Sequence, residues 1–157
     1  MTGISETEFA PDMNITRGMF VEVLYRMEGE PEITVGYTFT DVPADEYYAD
    51  AVAWASANKI VEGCSADEFS PDDNITREQM AAIIYRYANL KGYDTEVNNA
   101  LNYADNADIS DYAKDAVIWN SDNGIMIGND DNTFAPLSNA TRAEAAAVFN
   151  RIAEYIK

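Results

Sequence analysis

Six arginines stand in the chain, and they occupy only two registers. Arg17, Arg77 and Arg142 each follow a threonine, and Arg26, Arg86 and Arg151 each come nine residues later. Thr16, Thr76 and Thr141 read as helix N-caps. Gln79 and Glu144 stand three residues on to close a capping box, where the first copy has Met19. Arg17, Arg77 and Arg142 are thus expected at the first helical position, where a cation opposes the helix macrodipole by about 0.3–1 kcal/mol. A cost accepted three times points to a purpose. Free N–H groups at a helix start and a planar guanidinium together make an anion site that prefers a carboxylate. The competing reading pairs each arginine with an acidic residue of the neighbouring repeat, tying the repeats together. Arg26, Arg86 and Arg151 fall late in their helices, where a cation suits the dipole, and are read as structural.

The elements that must hold these arginines come from an internal repeat. Phe69-Ser70-Pro71-Asp72-Asp73-Asn74-Ile75-Thr76-Arg77 recurs 60 residues upstream from Phe9 and 65 downstream from Phe134. Before the second copy lie Phe39-Thr40-Asp41-Val42, Ala51-Val52-Ala53-Trp54 and Gly63. Before the third lie Tyr103-Ala104-Asp105, Ala116-Val117-Ile118-Trp119 and Gly128. The first copy begins at Gly3 and has no upstream half, which makes two and a half repeats.

Each full unit reads as helix, loop, longer helix. Apolar residues after each Thr-Arg recur at i, i+3, i+4 and i+7: Phe20, Val23, Leu24 and Met27; Met80, Ile83, Ile84 and Tyr87; Ala145, Val148, Phe149 and Ile152. The earlier helices are expected over about Glu46–Asn58 and Ser110–Asp122. Gly63 and Gly128 are expected in turns that a Cβ would oppose. Gly29–Thr38 and Gly92–Asn102 are connectors without helical period. A mainly α, pseudo-symmetric domain of tandem helix-loop-helix repeats follows.

Phe-x-Asp-Val, an Ala-Val helix, a glycine before a loop, Phe-x-Pro and Thr-Arg-x-Glu together resemble the S-layer homology (SLH) domain over almost the whole chain. The resemblance implies one domain over 1–157, with repeats at about 1–30 (partial), 39–92 and 103–157. It implies a pseudo-threefold helical prism whose first repeat lacks its first helix. It further implies a non-covalent anchor at the bacterial cell surface, binding a secondary cell-wall polysaccharide, often pyruvylated, in grooves between repeats. The arginine of the Thr-Arg motif is a main ligand contact in that family, a role that falls here on Arg17, Arg77 and Arg142. Only Thr141-Arg142-Ala143-Glu144 keeps the full motif. Tyr47 and Tyr112 stand where many members carry tryptophan, and are further ligand candidates able to stack on a sugar face. Gly63 and Gly128 complete the ligand-binding set. Trp54 and Trp119 are read as core. An unfilled first-helix site in copy one would expose apolar surface, to be covered by a preceding segment or a second molecule.

Composition narrows the alternatives. The chain has 157 residues, 47% hydrophobic and 24% charged, enough for one domain with a real core. Against 28 acidic residues stand 10 basic ones, a net charge of −18. No basic stripe for nucleic acid exists, and anionic membranes are disfavoured. Without histidine, His-based acid–base catalysis and His-ligated zinc are out of reach. The lone Cys64 can form neither an internal disulfide nor a thiolate metal cluster, and lacks an activating base. No run approaches the roughly 20 apolar residues of a membrane span, nor is there a signal-peptide core at the N-terminus. Asp72-Asp73-Asn74 and Asn129-Asp130-Asp131-Asn132 suggest calcium, but EF-hand spacing is not met and such residues also make turns. No carboxylate pair is marked for glycoside hydrolysis. The expectation is a non-catalytic, cofactor-free glycan anchor. The alternative is a protein-docking or self-assembly module.

Overall fold

A computed structural model describes residues 1, 8–34, 36 and 38–157. The expected start of copy one at Gly3, and positions 35 and 37 of the first connector, lie outside the described residues. The elements are α1 (Arg17–Met27), α2 (Ala49–Ala57), α3 (Arg77–Leu90), α4 (Lys114–Asp122) and α5 (Arg142–Tyr155). The fold is mainly α, with no strand among the described residues.

The three long helices begin as their sequences dictate. Thr16, Thr76 and Thr141 hold extended backbone and accept the N–H three residues on. Gln79 and Glu144 return the bond to the threonine N–H, and Met19 cannot. Ahead of each cap, one residue joins a closed ring. Ile15 N–H donates to Ala140 O at 3.0 Å, Ala140 N–H to Ile75 O at 2.9 Å, and Ile75 N–H to Ile15 O at 3.0 Å. All three residues are fully buried. The three copies therefore meet in one closed cycle of backbone hydrogen bonds, which the linear repeat only suggests.

The Phe-x-Pro turns that feed this ring require left-handed backbone at a non-glycine residue, with φ of 51° at Ala10, 58° at Ser70 and 54° at Ala135. Such a conformation costs roughly 1–2 kcal/mol. The aspartate of the upstream motif holds it in place. Asp41 accepts the N–H groups of Phe69 (2.8 Å) and Ser70 (2.6 Å), and Asp105 those of Phe134 (2.8 Å) and Ala135 (2.7 Å). Asp105→Ala leaves two partly buried amides without their charged acceptor, and is expected to cost about 2–3 kcal/mol in denaturant melts. Asp105→Asn, with one acceptor oxygen, should cost less.

The core follows the apolar stripes with one shift. Phe20 and Leu24 are buried as expected, but Val23 and Met27 are half-buried, and Val21 and Tyr25 fill the interior instead. Trp54 and Trp119 are buried. The shorter helices begin three to four residues later than expected, at Ala49 and Lys114. In the third copy the reason is visible. Ser110 donates its N–H and hydroxyl to Glu78 of α3, so the segment is pinned to a neighbour and winds as a 3-10 turn at Asp111–Ala113.

Helix α2 packs on α1 and α4 on α3, whereas no described helix packs on α5 in the same way. Glu78, Ala81 and Tyr85 of α3 touch Ser110, Asn120 and Trp119 respectively. Their α5 counterparts are Ala143, Ala146 and Asn150, exposed or half-buried. Among the described residues this part of α5 presents small and polar side chains.

Candidate glycan-binding grooves

Each first-position arginine is nearly buried, with exposures of 5% (Arg17), 8% (Arg77) and 6% (Arg142), and reaches into the next copy. Arg17 Nε donates to Phe69 O at 2.9 Å, and its Nη2 to Glu62 O at 3.3 Å. Arg77 repeats this with Phe134 O (2.9 Å) and Ile127 O (3.1 Å), and Arg142 Nε meets Phe9 O at 2.9 Å. The guanidinium carbons lie 4.6, 5.1 and 4.9 Å from the ring centroids of Phe69, Phe134 and Phe9. Planar stacking and directed forks are what arginine does and lysine does not. The inter-repeat tie is therefore real, but it runs mainly to carbonyls and rings. A carboxylate of the neighbouring copy completes it at Arg77, where Nη1 meets Glu144 Oε1 at 2.6 Å.

One expectation is overturned by this geometry. The first amides of the long helices are occupied rather than free. Arg17 N–H donates to Asp73 O and Gly18 N–H to Pro71 O, and α3 and α5 repeat the pattern with Ser138, Pro136, Met13 and Pro11. The three-way ring brings these carbonyls to the helix starts, so the amides hold the copies together and the guanidinium remains the cationic donor.

Among the described residues, two grooves carry such an arginine. The larger, about 360 Å³, is bounded by Arg17 of copy one, Glu62, Gly63 and Cys64 of copy two, Gln79 and Arg86 of α3, and Tyr112 of copy three. The smaller, about 210 Å³, is its counterpart between Arg77, the 126–129 segment and α5, with Glu144 and Arg151. The first lies within the usual range for small-molecule sites and the second below it. Tyr112, half-exposed, donates its hydroxyl to Glu78 at 3.2 Å. Burial and the Glu78 charge push its pKa up to about 12, so the hydroxyl remains a proton donor at any physiological pH.

The remaining candidates are placed as follows. Tyr47 is also half-exposed, but packs edge-on against Tyr48 and borders neither groove. Gly18, where α3 has Glu78, makes room for the Tyr48 ring and gives Tyr47 no carboxylate. Gly63 borders the larger groove, and Gly128 holds the equivalent position beside the smaller one. Their reason differs from the expected turn conformation. Neither has positive φ; a Cβ on Gly63 would lie 2.6 Å from Glu68 O, and one on Gly128 2.7 Å from Thr133 O. Asp131 accepts from Thr133 N–H at 3.1 Å, and serves the turn it stands in.

Sequence reasoning missed part of the groove wall. Arg86 pairs with Glu62 at 3.2 Å and Arg151 donates to Ile125 O at 3.2 Å, structural contacts as expected, yet both also line grooves. Gln79 and Glu144 were legible as caps, not as groove residues. Their shared position opposite an arginine of the preceding copy was the available signal.

A family model of the S-layer homology domain matches residues 38–81 and 102–146. The chain belongs to the S-layer homology domain family. Over 97% of its length it is 37% identical to an amylopullulanase of Thermoanaerobacterium thermosulfurigenes, covering 8% of that protein. It is 30% identical over 98% of its length to the surface-layer 125 kDa protein of Lysinibacillus sphaericus, of which it covers 13%. It is also 28% identical over 93% of its length to a cellulosome-anchoring protein of Acetivibrio thermocellus, covering 33%. The chain thus spans a small part of these relatives. What it shares with the amylopullulanase is the S-layer homology part, an anchoring module rather than a catalytic one.

Proposed function

We propose that this S-layer homology domain anchors its parent protein to the bacterial cell wall by binding an anionic, pyruvylated secondary polysaccharide in the inter-repeat grooves. One observation carries the reading: in a chain of net charge −18, a buried guanidinium borders a groove of about 360 Å³. A ketal carboxylate there would meet Arg17, with Arg86 on the wall and the Tyr112 ring beside the sugar. Because the rest of the surface repels polyanions, recognition falls to a few placed contacts instead of a diffuse field. The close packing at Gly63 keeps the 62–64 backbone tight enough to form the opposite wall. The names of the surface-layer and cellulosome-anchoring relatives agree with an extracellular, wall-bound location.

The test is a titration of the domain with purified pyruvylated wall polymer before and after mild acid removes its ketals. Binding should fall at least about tenfold on ketal removal, the scale of one lost charge-assisted contact. Equal affinity for the two polymers would leave the carboxylate reading without support and favour a protein-docking module.

A further inference from the structure

The two arginine grooves have the same architecture and opposite chemistry at one position. In the smaller groove, Glu144 uses one carboxylate oxygen on Thr141 N–H at 2.8 Å and gives the other to Arg77 Nη1 at 2.6 Å. Arg77 is thus already supplied with a carboxylate. In the larger groove the same helical position holds Gln79. Its oxygen is spent on Thr76 N–H at 3.0 Å, which leaves the amide –NH2 as the group turned to where the second Glu144 oxygen stands. Among the described residues Arg17 has no carboxylate partner, and its two hydrogen bonds use Nε and Nη2. An amide donor and a guanidinium donor therefore line the same groove, and among the described residues no carboxylate pairs with Arg17.

We infer that Gln79 and Glu144 decide which groove takes the ligand carboxylate: the Arg17–Gln79 groove accepts it, and the Arg77–Glu144 groove is closed to it by the protein's own carboxylate. This rests on the glycan-anchoring reading above. The geometry of the closed groove supplies the pose for the open one, since the ligand carboxylate replaces the Glu144 carboxylate, bridging Arg17 Nη1 and the Gln79 amide. A charge-assisted fork of this kind is directional, so the choice is made by chemistry rather than by groove size alone. Tyr112 adds to the bias, because it borders the larger groove.

Cys64 makes the occupied groove observable. It is the chain's single cysteine, exposed, and borders the larger groove, where the smaller has Asn129. Saturation with pyruvylated polymer should protect Cys64 from a charged thiol reagent in the wild-type domain. Gln79→Glu keeps the capping box, as Glu144 shows, and places a carboxylate against Arg17. It should lose polymer affinity by about 10–100-fold, with unchanged melting and no Cys64 protection. Glu144→Gln should retain Cys64 protection and raise the number of polymer termini bound per domain. Wild-type affinity in Gln79→Glu, or tight wild-type binding that leaves Cys64 fully reactive, would overturn the groove assignment while leaving the anchoring function intact. A wild-type domain indifferent to ketal removal would instead overturn the anchoring reading itself.

Discussion

Arg17→Ala is expected to lower affinity for the pyruvylated polymer at least about 100-fold and to destabilise the fold as well. The two effects have separate origins. The affinity loss is that of the charged prong, Arg17 Nη1, of a contact made inside a groove rather than on open surface. The stability loss comes from two carbonyls, Phe69 O and Glu62 O, that lose their donors, and from the cation removed from the Phe69 ring. Together these should cost about 2–4 kcal/mol, or roughly 5–15 °C in Tm for a chain of this length. Arg17→Lys separates the origins, since it keeps a charge but cannot donate along two directions from one plane. It should recover part of the affinity and little of the stability. Titration well below the lowered Tm, beside thermal melts, reads both. If melting falls while affinity stays, Arg17 is a clamp between repeats and nothing more.

Gly63→Ala should be among the most damaging single-methyl changes in the chain. The added carbon would overlap Ser65 O, lie 2.6 Å from Glu68 O and 2.7 Å from the Phe39 ring. Two of the three obstacles are backbone, and the turn they belong to is closed by Cys64 N–H donating to Glu68 O at 2.8 Å. Neither oxygen can retreat without opening that turn, so the cost should be about 3 kcal/mol, the top of the usual range for overpacking. Gly128→Ala meets Thr133 O and the Tyr103 ring in the same way and should behave alike. Gly36→Ala is the control: among the described residues nothing lies within 4 Å of its new carbon, and it should change stability by less than about 0.5 kcal/mol. Melts of the three variants decide the matter, and equal stability at positions 36 and 63 would refute the close-packing account.

Much of the architecture was legible because it rests on local rules. A threonine followed at three residues by glutamine or glutamate starts a helix wherever it stands, and the 3.6-residue apolar period names the core face. The late starts of α2 and α4 were not legible. That of α4 goes with a partner far along the chain, Glu78, which holds Ser110 from another helix. Asp41 and Asp105 were seen as motif letters, but nothing local says that a carboxylate will reach 28 to 30 residues along the chain to fix a left-handed turn.

The sequence by itself determined the family, the repeat, the six arginines in two registers and the positions of the caps, because spacing along a chain and helix-start chemistry are one-dimensional facts. Only the tertiary structure decided what the arginines do. Closing three copies in a ring brings carbonyls of one copy onto the helix amides and guanidinium of another, filling the amides that sequence logic left free for an anion. The same closure sets Glu144 against Arg77 and Gln79 near Arg17. Residues 62 to 67 positions apart in the chain thereby become the pairs that distinguish one groove from the other.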